Sequence, residues 1–180
     1  MGIRKTGDKS MKLNIGCGGR RIPGFTGVDA VPRPAAEIVA KADSIPLPDG
    51  SVEEIMAIHL LEHVHLWEAP DLLREWFRLL VPGGTLVLEL PDIVKCCRNI
   101  ADNYTMAGKH PDQAGLWGLY GDPRDKDTFM AHKWGYCFGT LKPMVEAAGF
   151  IKIAEKPTQW HPVGRERRDF RLEARKPGAA

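Results

Sequence analysis

Residues 11–16, MKLNIG, run apolar for a few positions and stop on glycine, and the apolar stretches that follow are equally short. A run of that length accommodates a strand and not a helix. Its nearly continuous apolar character suits a strand covered on both faces, as in a parallel sheet. FTGVDA (25–30), EIVAKAD (37–43) and VEEIMAIHL (52–60) read as three further strands, with PLPDGS as a turn before the last. The pattern then changes period. Leu72, Leu73, Trp76, Phe77 and Leu80 recur at helical spacing, which predicts a helix over about 69–81, closed by VPGG. TLVLEL (85–90) is a fifth strand, a helix follows from Asp92 to about residue 106, and another starts at Thr140 and stops at Gly149. FIKIAEKP and DFRLEARK close the chain as a pair of strands. Strands alternating with helices place the chain in the α/β class, with parallel order at the centre of its sheet.

A chain of 180 residues supports one domain with a real core. We assign residues 1–10 to a flexible leader and 11–180 to a single domain. Within it, 107–138, rich in Gly, Asp, Pro and aromatics, reads as a functional loop insertion. A net charge of +2 does not by itself call for a nucleic-acid or membrane partner. No apolar run reaches the length of a membrane span. Cys17, Cys96, Cys97 and Cys137 form no C-x-x-C pair, so reduced thiols and a cytoplasmic location are expected.

The turn after the first strand, LNIGCGGRR, offers Gly16 and Gly18 for close backbone approach to a ligand. It is not a dinucleotide fingerprint, because Arg21 stands where the third glycine would be. Asp29 ends the second strand, where a carboxylate can accept both hydroxyl protons of a ribose, and Asp43-Ser44 follows the third, placed for an adenine amino group. Three successive strand ends would then face one nucleoside at the carboxyl edge of the sheet.

LNIGCGG, GVDA, ADSIPLPDGS, HLLEHV, LVPGGTLVLELPD and LKPMVEAAGF occur here in order. In that order and spacing the chain resembles class I S-adenosylmethionine-dependent methyltransferases over about residues 11–176. The likeness is greatest to small methyltransferase-11-like members associated with polysaccharide and glycan biosynthesis. The resemblance implies a Rossmann-like, seven-stranded, mostly parallel sheet whose last strand is antiparallel. It implies S-adenosylmethionine as cofactor, with Gly16, Cys17 and Gly18 at its methionine end, Asp29 on the ribose, Asp43 and Ser44 near the adenine, and His59 at the methyl end. Asn14 and Arg20 depart from the family, which carries an acid and a third glycine there. Asp29 lies only 13 residues past Gly16, so the first crossover helix is expected to be a turn at most.

His59-Leu-Leu-Glu-His63 fits the string H-x-x-E-H of inverted zinc peptidases. That chemistry needs both histidines on one helix face, whereas this stretch leaves a strand. Packing along a wall is the plain alternative. The stretch also resembles the E-x-x-E-H of metal-dependent ubiquinone-pathway and small-RNA 3′-end methyltransferases. In the RNA enzymes a later histidine follows, in a stretch like HKWGY. Carried over, that implies a metal on His59, Glu62, His63 and His132, and a nitrogen-rich set suits zinc, iron or manganese better than magnesium. Without a metal, His59, His63 or His132 is a candidate catalytic base. Trp117, Tyr120, Trp134 and Tyr136 are candidates to cover the pocket or to stack on an acceptor. The resulting expectation is O-methylation of a polar small-molecule or glycan acceptor. A nucleic-acid methyltransferase and a non-catalytic cofactor-binding protein are the rivals.

Overall fold

The structure, a computed structural model, describes residues 11–126, 130–160 and 165–179. The leader lies outside the described residues. Seven strands form one sheet: β1 (Met11–Ile15), β2 (Thr26–Asp29), β3 (Ile38–Val39), β4 (Val52–Ile58), β5 (Leu80–Pro91), β6 (Ile151–Lys156) and β7 (Asp169–Arg175). Their order across the sheet is β3-β2-β1-β4-β5-β7-β6. The first five run parallel, and β7 inserts antiparallel between β5 and β6. The expected mostly parallel seven-stranded sheet with an antiparallel last strand is therefore present.

Among the described residues four α-helices accompany it: α1 (Ala69–Leu79), α2 (Ile93–Ala101), α3 (Leu116–Tyr120) and α4 (Phe138–Ala147). α1 buries Leu72, Leu73, Trp76 and Leu79 on one stripe, as its spacing demands. Arg78 extends from it to Glu75, to Asp49 and to the carbonyls of Ile45 and Leu47, and so fastens the connection leading into β4. Lys176 Nζ donates to the carbonyls of Phe77 and Leu80 at 2.8 Å each and caps the end of α1. Asp92 caps α2 by accepting from the Val94 and Lys95 amides.

Three expectations shift. α1 ends at Leu79, and the VPGG stretch belongs to the irregular start of β5, where the register shifts against β4. α2 stops at Ala101, with Asn103 at a positive φ of 50° just beyond it. The connections β1–β2, β2–β3 and β3–β4 contain no helix at all. In consequence the two faces of the sheet are unequal. Residues of α1 and α4 join Leu13, Ile15, Ile55, Leu86, Leu88, Phe170 and Leu172 in the main core. Met56, Ile58 and Val87 on the opposite face are covered by Ile22, Phe25 and Trp160 from connecting segments. The remainder of that face is polar, with Lys12 paired to Glu54 and Arg171 to Glu89 and Glu173.

Candidate active site

The carboxyl ends of β1, β2 and β4 open onto a cavity of about 490 Å³. Gly16, Gly18, Asp29, Asp43, His59 and His63 all line it. Gly16 leaves β1 at φ +71°, and a side chain there would press to 2.9 Å from Leu60 Cδ1. Its amide and that of Cys17 both reach the Val28 carbonyl, which folds the turn back against β2. Asp29 shapes the same loop. Its carboxylate accepts from the Gly18 amide at 2.9 Å and from the Val31 amide at 3.2 Å. The backbone is thus held open at the height where a nucleoside would enter.

Of the expected site residues, Cys17, Ser44, Glu62 and His132 do not line the cavity. Cys17 is buried, and its thiol turns away toward Gly27 in β2. A residue between two left-handed glycines can face the cavity with its backbone while its side chain goes beneath. Ser44 is exposed and outside the lining, because β3 ends at Val39 and only Asp43 reaches back. Arg33, Lys41 and Lys133 line the cavity without having been singled out from the sequence.

His59 and His63 follow the end of β4. β4 ends at Ile58, and His59 adopts a left-handed φ of 52° while its amide bonds the Glu89 carbonyl at 2.8 Å. Residues Leu61–His63 then form a single 3₁₀ turn, so the stretch is not the long helix of a zinc peptidase. His59 Nδ1 meets Glu62 Oε1 at 2.9 Å, and Nε2 meets Asp169 Oδ2 at 3.3 Å with Arg168 Nη2 at 3.5 Å. Burial opposes its charge, but the hydrogen bonds to Asp169 and Glu62 outweigh it and raise the pKa to about 9. Both ring nitrogens are taken by protein partners. Among the described residues, His59 is accordingly not one of those whose donor atoms converge as a possible metal site.

Glu62, His63 and His132 do converge, with one donor atom of each within 4.8 Å of the others. Glu62 is only 2% exposed, and its Oε2 has no hydrogen-bond partner. Burial works to raise its pKa, yet the His59 hydrogen bond and the nearby imidazoles lower it, so it is a carboxylate. His132 Nδ1 contacts the Gly118 carbonyl at 3.0 Å, which leaves Nε2 with its lone pair. Burial lowers the His132 pKa and keeps the ring neutral. The His63 and His132 rings meet edge to face at 4.8 Å. The loop bearing His132 is fastened to Glu62, whose carbonyl accepts from the Lys133 amide at 2.7 Å and the Trp134 amide at 3.3 Å.

Of the aromatic candidates, Tyr120 and Trp134 are exposed beside this cluster in sequence and backbone contact. Trp117 and Tyr136 are buried. Tyr136 lies close enough to Glu62 to feel its charge, and burial together with that charge raises its hydroxyl to about 12.

Comparisons with known proteins bear on the fold. Residues 13–88 match the family model described as "Methyltransferase domain". A Mycolicibacterium smegmatis protein described as "Probable S-adenosylmethionine-dependent methyltransferase" is 38% identical over 48 residues. That match spans 27% of this chain and 18% of the relative's length. A SAM-dependent methyltransferase of Archaeoglobus fulgidus superposes with a TM-score of 0.61 at 18% identity, covering 92% of this chain and 86% of the other. One from Methanosarcina mazei gives 0.60 at 18% identity over 95% of each chain. Phosphoethanolamine N-methyltransferase 2 of Haemonchus contortus, solved with S-adenosyl-L-methionine, gives 0.56 at 11% identity over 95% of this chain and 50% of that one. The chain therefore has the fold of S-adenosylmethionine-dependent methyltransferases, and its residues 13–88 match the methyltransferase-domain family model.

Proposed function

We propose that this chain binds S-adenosylmethionine in the 490 Å³ cavity and methylates an oxygen of a polar small-molecule or glycan acceptor that enters past His63 and His132. The observation that carries this reading is a buried carboxylate, Glu62, whose Oε2 has no hydrogen-bond partner and which is grouped with two imidazoles, one of them His63 of the cavity wall. The cofactor's sulfonium methyl supplies the electrophile when bound. The protein's part is alignment and removal of the acceptor's proton. Asp29 holds the ribose, Asp43 reaches toward the adenine, and the Gly16–Gly18 backbone receives the methionine end. His132, kept neutral by burial, has Nε2 available to take the proton.

Glu62, His63 and His132 also fit a divalent metal. The Gly118 carbonyl fixes the His132 tautomer, as outer partners of metal-bound histidines do. Ligands about 2.1 Å from one zinc ion lie ~4 Å apart at most, so the donor atoms would draw in slightly on binding. Three protein ligands leave a position for the acceptor oxygen, whose pKa such an ion would lower. Zinc, iron or manganese suits two imidazoles and a carboxylate better than magnesium.

Calorimetry with S-adenosylhomocysteine, and transfer of labelled methyl to a panel of sugars, alcohols and phenols, test the reading. Binding and label on a hydroxyl are expected. Chelator should stop turnover, and zinc or manganese should restore it. Absence of cofactor binding would overturn the proposal, and label on RNA instead would move it to nucleic acid. Chelator without effect would leave His63 and His132 as proton acceptors alone.

A further inference from the structure

The entry into β7, Arg168 and the strand's first residue Asp169, was not singled out in the sequence, yet it carries two of the most buried charges in the described structure. Asp169 is 0% exposed and Arg168 5% exposed. Arg168 Nε donates to Asp169 Oδ1 at 2.5 Å, and its Nη2 donates to Oδ2 at 3.1 Å. Oδ2 then meets His59 Nε2 at 3.3 Å, and His59 Nδ1 meets Glu62 Oε1 at 2.9 Å. The chain Arg168–Asp169–His59–Glu62 thus runs from the antiparallel strand to the 3₁₀ turn at the end of β4. It terminates on Glu62, a buried carboxylate whose other oxygen has no hydrogen-bond partner and which is grouped with His63 and His132. Buried charges persist when each has a partner, and breaking one contact strands the next.

The backbone at His59 supports the same reading. A φ of 52° is uncommon for a non-glycine residue and persists where its surroundings over-determine it. Here the surroundings are the Glu89 carbonyl, Asp169 and Glu62, all fixed to neighbouring strands or to the turn. The imidazole spans the distance between two buried carboxylates. Removing it frees the Glu62 side chain to turn about its terminal torsion.

Building on the proposed acceptor site, we infer that His59 is a positioning residue. It is braced from β7 by Asp169 and Arg168, and it holds Glu62 so that Oε2 faces His63 and His132. It neither ligates nor takes the acceptor's proton. The distinction is chemical. The side-chain amide nitrogen of asparagine can stand where His59 Nδ1 stands and donate to Glu62, and asparagine tolerates the left-handed backbone. It has no basic nitrogen and is a poor ligand. Asparagine can therefore replace a positioning histidine and cannot replace a catalytic one.

The test compares wild type, His59→Gly and His59→Asn. Glycine takes the same φ without strain, so that variant is expected to fold. Crystal structures of all three should show the Glu62 carboxylate in place in wild type and His59→Asn, and turned away in His59→Gly. In turnover, His59→Gly should lose roughly 100-fold in kcat, the scale of a misplaced group. His59→Asn should recover most of that loss. Glu62 unmoved in His59→Gly would overturn the inference. So would His59→Asn being as inactive as His59→Gly. The crystal structures decide it even if no acceptor is found, whereas failure of wild type to bind cofactor or transfer methyl sinks the proposed function instead.

Discussion

Asp29 serves two purposes that a single substitution separates from its neighbours. It holds the Gly18 and Val31 amides, and it faces the cavity where a ribose would lie. Asp29→Ala should weaken S-adenosylhomocysteine binding at least about tenfold by calorimetry, because loop support and two hydroxyl contacts go together. An unchanged dissociation constant would mean the nucleoside lies elsewhere. His59 gives a pH-dependent counterpart. Its folded pKa, about 9, exceeds the ordinary value of 6.5 through its two carboxylate partners. The stability it contributes is therefore complete below pH 6.5 and is lost as pH rises through 9. The full contribution is about 3 kcal/mol. Melting temperature should fall between pH 7 and pH 10 in wild type, and the fall should be shallower in His59→Asn. Parallel curves would remove the imidazolium from the argument.

At the scale of elements, the first half of the sheet is assembled without helices, and close backbone packing replaces them. β2 and β3 are joined by a short connection that turns back onto its own strand. The Glu37 amide reaches the Gly27 carbonyl at 2.9 Å, and a side-chain carbon on Gly27 would sit 2.1 Å from the Ala35 carbonyl oxygen. That neighbour is backbone and cannot move aside cheaply. Gly50 differs, since its φ of +60° is costly for other residues but nothing lies within 4 Å of its position. Gly27→Ala should destabilise by roughly 2–4 kcal/mol in urea titrations, and Gly50→Ala by about 1 kcal/mol. Equal effects would mean that crowding at β2 is relieved by a shift of the connection. This bareness was legible in advance as length: ten residues between β1 and β2 leave no space for a crossover helix. The start of β5 was not legible, because Pro82, Gly83 and Gly84 carry the ordinary signal of a helix stop, and strand pairing with β4 overrides it.

For the molecule as a whole, the sequence disclosed what depends on period and punctuation and concealed what depends on side chains meeting across the sheet. The strand positions and the Gly16, Asp29 and Asp43 edge follow from apolar runs that stop at turn residues. The convergence of Glu62 and His63 with His132 could be expected only through a resemblance, since 68 residues separate the two histidines. Asp169 and Arg168 went unnoticed because a strand pattern registers charges as outward-facing, although an acid and an arginine heading a strand beside an otherwise apolar β5 are themselves a signal. The four thiols can show whether the two halves of the molecule open together. Cys96, on α2 and packed against α3, is 0% exposed, and burial raises its pKa to about 12, whereas Cys17 lies 5% exposed under the glycine turn. All four are free, and Cys97 is exposed. In native protein Cys97 should react with a thiol reagent at once, and Cys17 and Cys96 only when structure opens. If the bare glycine turn opens locally, Cys17 should react faster than Cys96, and S-adenosylhomocysteine should slow Cys17 selectively, because ligand binding closes only the openings that abolish its site. Equal slowing of both thiols would instead mean that the thinly covered half of the sheet unfolds only with the rest.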